Sequence, residues 1–276
     1  YLAKVRLYQA YEQDDNYTVT QINPITLQKS IDAANQVIGN YALATDFGYN
    51  FLPGTHENGP ESVFSIQFSK DDRTLFGRLN YGDVLSLPQG LGCCDFHKPS
   101  QNLVNAFKTT PQGLPMFDTF NDSDLNYNHR DNYKVDPRLY HTVALPGLPW
   151  KYDENKIYQE SWNRSPATYG YYASLKENVP ISCGCTVNVD PFYGNSKNRI
   201  IIRYADVLLM KAEALIELNQ INEALPLINQ VRQRAANSTL LTGNYTSNNL
   251  ISKYQPGVNC TWNQEFARKA LRWERR

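Results

Sequence analysis

The chain has 276 residues, and its 27 basic and 27 acidic side chains give a formal net charge of zero. This length allows one large domain or two ordinary ones. The balanced charge argues against a dedicated nucleic-acid surface, because phosphate binding needs a net basic field. No run of eighteen apolar residues occurs, so the sequence predicts no transmembrane helix.

Residues 1–40 predict a first pair of helices. The apolar positions are Leu2, Val5, Leu7, Tyr8 and Tyr11 in the first helix and Leu27, Ile31, Ala34 and Ile38 in the second. Asn23 and Pro24 are typical of an N-cap followed by a first-turn proline, and Gly39-Asn40 is typical of a helix end. We therefore expect a helical repeat unit here.

The region 41–198 has a different character, rich in Gly, Pro, Asn, Asp and Tyr and poor in helical periods. Phe64, Ile66 and Phe68 alternate with polar residues, which predicts a short strand. Ser100 is placed to cap a short helix that carries Leu103, Val104 and Phe107. Because long loops on a rigid frame are usually functional, we expect 41–198 to be a loop-rich ligand-binding region.

Residues 199–236 predict a second, clearer helical hairpin. One apolar stripe runs through Ile201, Ala205, Leu208, Ala212 and Leu215, and another through Ile221, Ala224, Leu225, Ile228 and Val231. A polar break at Asn219-Gln220 separates the two. Ala212 and Ala224 suit the close helix approaches of a tetratricopeptide unit. Pro226 lies about a turn into the second helix, where it removes one backbone hydrogen bond at reduced cost.

Residues 261–276 predict the start of a C-terminal helical segment. The five cysteines form a Cys93-Cys94 pair, a Cys183-x-Cys185 pair and a lone Cys260. These spacings are poor for tetrahedral zinc, so no metal site is predicted. Disulfides formed in an oxidising compartment are favoured, although the sequence does not give their pairing.

Signatures of catalysis are missing from the sequence. It contains no HExxH, no GxSxG and no glycine-rich phosphate loop. The four histidines lie in loop-like contexts without an evident nucleophile. We therefore predict a protein that is not an enzyme and needs no cofactor.

The segment 150–172 is the strongest ligand-binding candidate. Its predicted ligand-binding residues are Trp150, Tyr152, Tyr158, Trp162, Tyr169 and Tyr171, with Trp150 and Trp162 as the preferred pair. They alternate with amide and charged side chains, a mixture that offers flat rings to sugar C–H groups and planar polar groups to hydroxyls. The alternative is that several of these rings only anchor the loop.

Several segments together resemble the SusD/RagB family of bacterial outer-membrane nutrient-binding lipoproteins. They are LAKVRLYQAY (2–11), ESVFSIQF (61–68), PSQNLVNAF (99–107), VDPRL (135–139), RYADVLLMKAEAL (203–215), LINQVRQRA (227–235) and RWERR (272–276). Their order is more specific than any single piece. The arginines in VDPRL and RYAD are expected to be structural, tying loops to helices through carboxylates or carbonyls.

The resemblance implies a mainly α fold, in which tetratricopeptide-like helical hairpins frame a large loop-rich region with short strands, as a single domain over 1–276. It also implies a non-catalytic subunit of polysaccharide utilization that binds an oligosaccharide and passes it to a SusC-like TonB-dependent transporter. The expected location is the outer membrane, as a surface-exposed lipoprotein. The lipidated N-terminal cysteine of such proteins is not among these residues.

Two alternatives remain open at this stage. The ligand could be a peptide, because sequence does not separate glycan from peptide binding. The chain could instead be a tetratricopeptide adaptor for protein partners, although such adaptors have tandem repeats and short loops. Both termini interrupt a pattern, so we expect a portion of a longer protein that is marginally stable or associates when produced alone.

Overall fold

A computed structural model describes residues 1–75, 77–189 and 192–276. Phe76, Asp190 and Pro191, which belong to the predicted loop-rich region, lie outside the described residues. The helices are α1 Leu2–Ala10, α2 Pro24–Asn35, α3 Gln101–Asn105, α4 Leu139–Thr142, α5 Pro166–Tyr169, α6 Tyr204–Glu217, α7 Ile221–Ala236 and α8 Gln264–Arg275. None of these helices has the length and apolar character needed to cross a membrane.

The strands are short, and all pair antiparallel. They are β1 Tyr11–Gln13, β2 Val19–Ile22, β3 Ser62–Ile66, β4 Lys108–Thr109, β5 Lys134–Val135, β6 Val143–Ala144, β7 Pro149–Trp150, β8 Asp153–Ile157, β9 Ala173–Ser174, β10 Thr186–Val189, β11 Phe192–Asn195 and β12 Arg199–Arg203. The pairs are β1–β2, β3–β12, β4–β5, β6–β9, β7–β8 and β10–β11. The predicted fold class, a helical frame with short strands in a loop-rich region, is confirmed.

The largest core is formed by the long helices from both ends of the chain. It contains buried residues of α1, α2, α6, α7 and α8. Ala212 and Ala224, the small residues of the predicted repeat, are both fully buried there. The hairpin α6–α7 turns at Asn219, whose φ of 61° fits a tight reversal. Helices at both ends thus form the frame on which the middle of the chain is held.

Two helices differ from expectation, α6 in where it starts and α1 in which face it buries. Helix α6 begins at Tyr204, and Ile201 lies on the exposed side of β12. The residues Ile200, Ile201 and Ile202 are β-branched, and Ile200 and Ile202 pair with β3, which outweighs the helical period. In α1 the buried face is Ala3, Leu7 and Ala10, whereas Leu2, Val5 and Tyr8 are exposed.

The buried face of α1 differs from the expectation because of how α1 packs on α2. The hydroxyl of Ser30 donates to the carbonyl oxygen of Ala3 at 2.8 Å, so small residues face each other. Tyr11 leaves the helix and enters β1. Larger side chains such as Leu2 and Val5 are turned outward because α2 approaches the alanine face.

The N-caps predicted from the sequence are present at the starts of α2 and α3. The Asn23 side chain accepts from the amides of Ile25 and Thr26, with Pro24 in the first turn. The Ser100 hydroxyl accepts from the amide of Leu103. Helix α2 ends at Asn35, earlier than Ile38, and Gly39 follows with a φ of 101°. Helix α8 starts at Gln264, behind an Asn263 cap.

Buried ion pairs tie the loop region to the helices, as predicted for the arginines of the two motifs. Arg138 holds Asp136 with an Nη2–Oδ2 distance of 2.5 Å and reaches Glu274 of α8 at 2.9 Å. Arg203 contacts Glu61 at 2.8 Å. These guanidinium–carboxylate pairs fix loop segments to the start of α6 and to the end of α8.

The cysteines pair within their own short motifs. Cys93 is bonded to Cys94 and Cys183 to Cys185, while Cys260 is free. The described residues include no group of three or more His, Cys, Asp or Glu side chains arranged to hold a metal ion.

Candidate functional site

The aromatic segment 150–172 is placed by a small set of irregular elements. It begins in the β7–β8 hairpin, passes through a 3₁₀ turn at Glu160–Trp162 and continues into α5 and toward β9. Lys151 and Tyr152 both have positive φ at the hairpin turn, 47° and 69°.

Trp150 and Tyr158 are fully buried. Their rings stack with centroids 5.7 Å apart, and the indole N–H of Trp150 donates to the carbonyl oxygen of Val179 at 3.3 Å. The Tyr158 hydroxyl donates to Asn163 Oδ1 at 2.6 Å. Because neither ring offers a free face, the expectation of ligand contact is revised for these two residues, which hold the loop in place.

Trp162 closes this small aromatic core from its edge. It meets Trp150 and Tyr158 edge-to-face, with centroids 6.1 and 5.6 Å away. A Cβ added to Gly90 would lie 2.7 Å from the Trp162 ring, so the close approach requires glycine there. Trp162 is half-buried, and part of its surface remains open to solvent.

Tyr152 also has an internal partner. Its hydroxyl lies 2.9 Å from Nδ1 of the buried His141. The other ring nitrogen, Nε2, lies 2.9 Å from the carbonyl oxygen of Ser238, which can only accept, so Nδ1 is the acceptor for the Tyr152 hydroxyl. Burial raises the pKa of Tyr152 well above its ordinary value and lowers that of His141. Tyr152 therefore stays a neutral donor within the interior.

The remaining predicted residues face outward. Tyr169, at the end of α5, is 59% exposed. Tyr171 is half-buried, and its ring centroid lies 5.6 Å from that of Tyr127. The Tyr127 hydroxyl donates to the carboxylate of Glu160. We call Tyr127, Glu160, Tyr169 and Tyr171 the tyrosine surface.

Tyr127 was missed by sequence reasoning. It lies between Asn126 and Asn128 in a polar loop, at the start of a short 3₁₀ segment, Tyr127–Asn132. An aromatic residue flanked by exposed amides is a signal that could have found it. Burial, followed by the hydrogen bond to Glu160, raises the pKa of Tyr127 to about 12, so its hydroxyl remains protonated at neutral pH.

The tyrosine surface combines ring faces with a carboxylate and neighbouring amides. Ring faces favour contact with C–H groups, and carboxylate and amide groups exchange hydrogen bonds with hydroxyls. Such a surface suits reversible binding of a polyhydroxylated ligand.

Comparisons with known proteins agree on one family. Residues 60–276 match the model of the SusD family. The SusD-like proteins P38 and P25 of Formosa agariphila are each 27% identical, over 187 and 204 residues. These matches cover 66% and 73% of this chain but only 31% and 35% of the relatives. The chain thus spans about a third of the length of the curated relatives it matches.

Solved structures show the same fold. A SusD-like protein from Bacteroides fragilis has a TM-score of 0.63 at 18% identity, covering 99% of this chain and 49% of that one. A SusD-like carbohydrate binding protein from the same species has a TM-score of 0.60 at 21% identity, covering 90% of this chain and 46% of that one. These likenesses establish the architecture and leave the ligand open.

Proposed function

The chain belongs to the SusD family, and we propose from this that its tyrosine surface binds a saccharide as part of a non-catalytic, cell-surface nutrient-binding protein. The bound saccharide would pass to a TonB-dependent outer-membrane transporter. Membrane attachment through an N-terminal lipid anchor belongs to the same proposal. The transporter and the anchor rest on the family resemblance alone.

Exposed rings beside hydrogen-bonding groups carry the proposal. Tyr169 is the most exposed aromatic residue of the segment 150–172, and Tyr171 and Tyr127 lie close together beside Glu160. The same segment is anchored by Trp150, Tyr158 and Trp162, which pack together in a small core. Such anchoring lowers the entropy lost when a ligand orders the loop. Because the surface is shallow and wet, binding should be of modest affinity.

Replacing both outward tyrosines tests the proposal. A glycan array first identifies a saccharide ligand, and isothermal titration then compares the wild type with a Tyr169→Ala, Tyr171→Ala double variant. Loss of two stacking faces should weaken binding by about 10- to 100-fold, since each contact of this kind contributes about 1 kcal/mol or more. Tyr17→Ala is the matched control, because Tyr17 is 85% exposed in the turn between β1 and β2.

Three outcomes would count against this assignment. Wild-type affinity in the double variant would place the saccharide on another surface, with Trp162 the next residue to replace. An equal loss in Tyr17→Ala would show that the effect is not local. Binding to a peptide library, with no response on the glycan array, would make the ligand a peptide.

A further inference from the structure

A cavity of about 180 Å³ lies between α3, the end of α8 and the segment that carries Lys176. It shares no residue with the tyrosine surface. Five cationic side chains line it, Arg138, Lys176, Arg203, Arg275 and Arg276, against two carboxylates. The lining therefore has an excess of positive charge.

Both carboxylates of the lining are already engaged. Asp136 accepts from Arg138 through both of its oxygens. Glu274 lies between Arg138 and Arg232. Neither carboxylate is left to neutralise another cation in the cavity.

Two of the other cations are also paired. Arg203 is held by Glu61, which also binds Arg234. Arg275 reaches Glu213 at 2.7 Å and Asp206 at 3.4 Å. Lys176 and Arg276 remain, and neither has a carboxylate within 4.0 Å among the described residues.

Lys176 is the more confined of these two. Its amine lies 5.2 Å from the ring centroids of both Phe47 and Phe51. Burial, together with Arg203 and Arg138, lowers the pKa of Lys176 to about 8, and the neighbouring Glu177 only partly offsets this. Lys176 therefore keeps its proton at neutral pH without forming an ion pair with any described residue. An uncompensated charge in such surroundings is unfavourable unless something of opposite charge joins it.

Thr142 supplies a second polar group without a partner. Its hydroxyl oxygen is buried without a hydrogen-bond partner, and Thr142 lines the same cavity. A hydroxyl donor and an ammonium group that line one cavity are suitable partners for an oxygen anion, since charge-assisted hydrogen bonds are stronger than neutral ones.

We propose that this cavity binds an oxyanion, a carboxylate or a sulfate group, with Lys176 as its counter-charge and Thr142 as a hydroxyl donor. The small volume fits the anionic group and a few attached atoms. This inference goes beyond saccharide binding on the tyrosine surface and does not depend on it.

Isothermal titration of the 276-residue chain with glucuronate, glucose and sulfate tests the cavity. Glucuronate and glucose share a pyranose ring and differ in the carboxylate. We expect glucuronate and sulfate to bind and to compete with each other, and glucose not to compete. Binding of glucose with the affinity of glucuronate, or no binding of either anion, would overturn the proposal.

Lys176→Met then assigns the binding to this cavity. Loss of one charge-assisted contact should weaken glucuronate binding by about tenfold or more. The unliganded variant should melt no lower than the wild type, because an unpaired buried charge has been removed. Lys156→Met, which changes net charge equally at an exposed position of β8, should leave binding unchanged. Thr142→Val is a second, nearly isosteric variant that should weaken binding without removing charge.

Further outcomes separate the possible sources of the anion. If Lys176→Met and Lys156→Met weaken binding equally, the response is general electrostatics and the cavity is not the site. If the Tyr169→Ala, Tyr171→Ala variant no longer binds neutral glycans but still binds glucuronate, anion binding in the cavity is independent of the tyrosine surface.

An acidic side chain of the polypeptide is a second source of the same carboxylate group. A longer form of the protein that no longer binds free glucuronate would identify that source.

Discussion

At the scale of single residues, Glu61 is a carboxylate with several buried partners. It is fully buried and lies between the guanidinium groups of Arg203 and Arg234. It also accepts from the amide of Ala44 at 3.0 Å and from the side chain of Asn50 at 3.0 Å. One carboxylate therefore links β3, the start of α6 and the end of α7, elements far apart in the chain.

Glu61→Gln should strongly destabilise the protein. The amide is nearly isosteric but leaves two buried guanidinium groups without a counter-charge, which typically costs about 3–5 kcal/mol. Urea denaturation followed by circular dichroism measures the loss. Glu265→Gln, at an exposed position of α8, should change the free energy of unfolding by no more than about 0.5 kcal/mol. Equal decreases in the free energy of unfolding of both variants would show that the ion pairs of Glu61 do not stabilise the fold.

The same carboxylate gives a pH dependence. Burial alone would raise the pKa of Glu61, but Arg234 and Arg203 hold it below its ordinary value. A depressed folded-state pKa gives stability that is present above the unfolded-state value and is lost as the pH falls through the folded-state value. The stability difference between wild type and Glu61→Gln should therefore shrink in acid, below about pH 4. A constant difference down to acid unfolding would contradict this.

At the scale of elements, predictions were correct where the structure depends only on residues close together in the sequence. The Asn23 cap and the α6–α7 hairpin were readable because caps and helical periods depend on neighbouring residues. The start of α6 could not be predicted in this way, because Ile200 and Ile202, on either side of Ile201, pair with a strand more than a hundred residues away. The exposed side of α1 was also missed, since only the position of α2 decides it.

The candidate site shows the same limit. Composition marked 150–172 as rich in rings, but it could not tell a ring that anchors from a ring that binds. Trp150 is fully buried and Tyr169 is mostly exposed, although both stand among polar neighbours in the sequence. Tyr127 joins Tyr171 only through the fold. Ligand contact by the outward tyrosines stays a prediction.

Pro226 offers a test of helix α7 as an element. It is exposed and stands inside the helix, where the amide it lacks would have bonded to the carbonyl of Asn222. Pro226→Ala should raise the free energy of unfolding by about 1–3 kcal/mol, through a restored hydrogen bond and better helix propensity. Chemical denaturation measures the change.

Pro24→Ala is the matched control for that substitution. Pro24 is equally exposed but occupies the first turn of α2, where proline is preorganised and no hydrogen bond is missing. Its replacement should be neutral or slightly destabilising. A stabilising Pro24→Ala, or a Pro226→Ala variant less stable than the wild type, would show that the local cost of Pro226 has been misjudged.

At the scale of the whole molecule, the chain exposes more surface than a compact monomer of its size. Its accessible surface is 13,820 Å², against about 12,000 Å² expected from its 31.6 kDa mass. Part of this surface is one apolar patch, defined by Tyr1, Leu2, Val5 and Tyr8 together with Phe64 and Ile66 of β3 and Ile201 of β12. The Tyr1 and Phe64 rings meet edge-to-face at 5.7 Å, which joins the end of α1 to the strand pair.

Self-association through this patch is the outcome we expect for the 276-residue chain, because contiguous exposed apolar surface is unfavourable in water. Sedimentation velocity over a wide range of protein concentration should show reversible association in the wild type. Val5→Lys, a charge at the centre of the exposed face of α1, should weaken it by about tenfold or more, because it places a charge in an apolar contact. Val258→Lys is the control, since Val258 is 79% exposed outside the patch. A wild type that stays monomeric at every concentration would contradict the prediction, and equal effects of the two lysines would place the contact elsewhere.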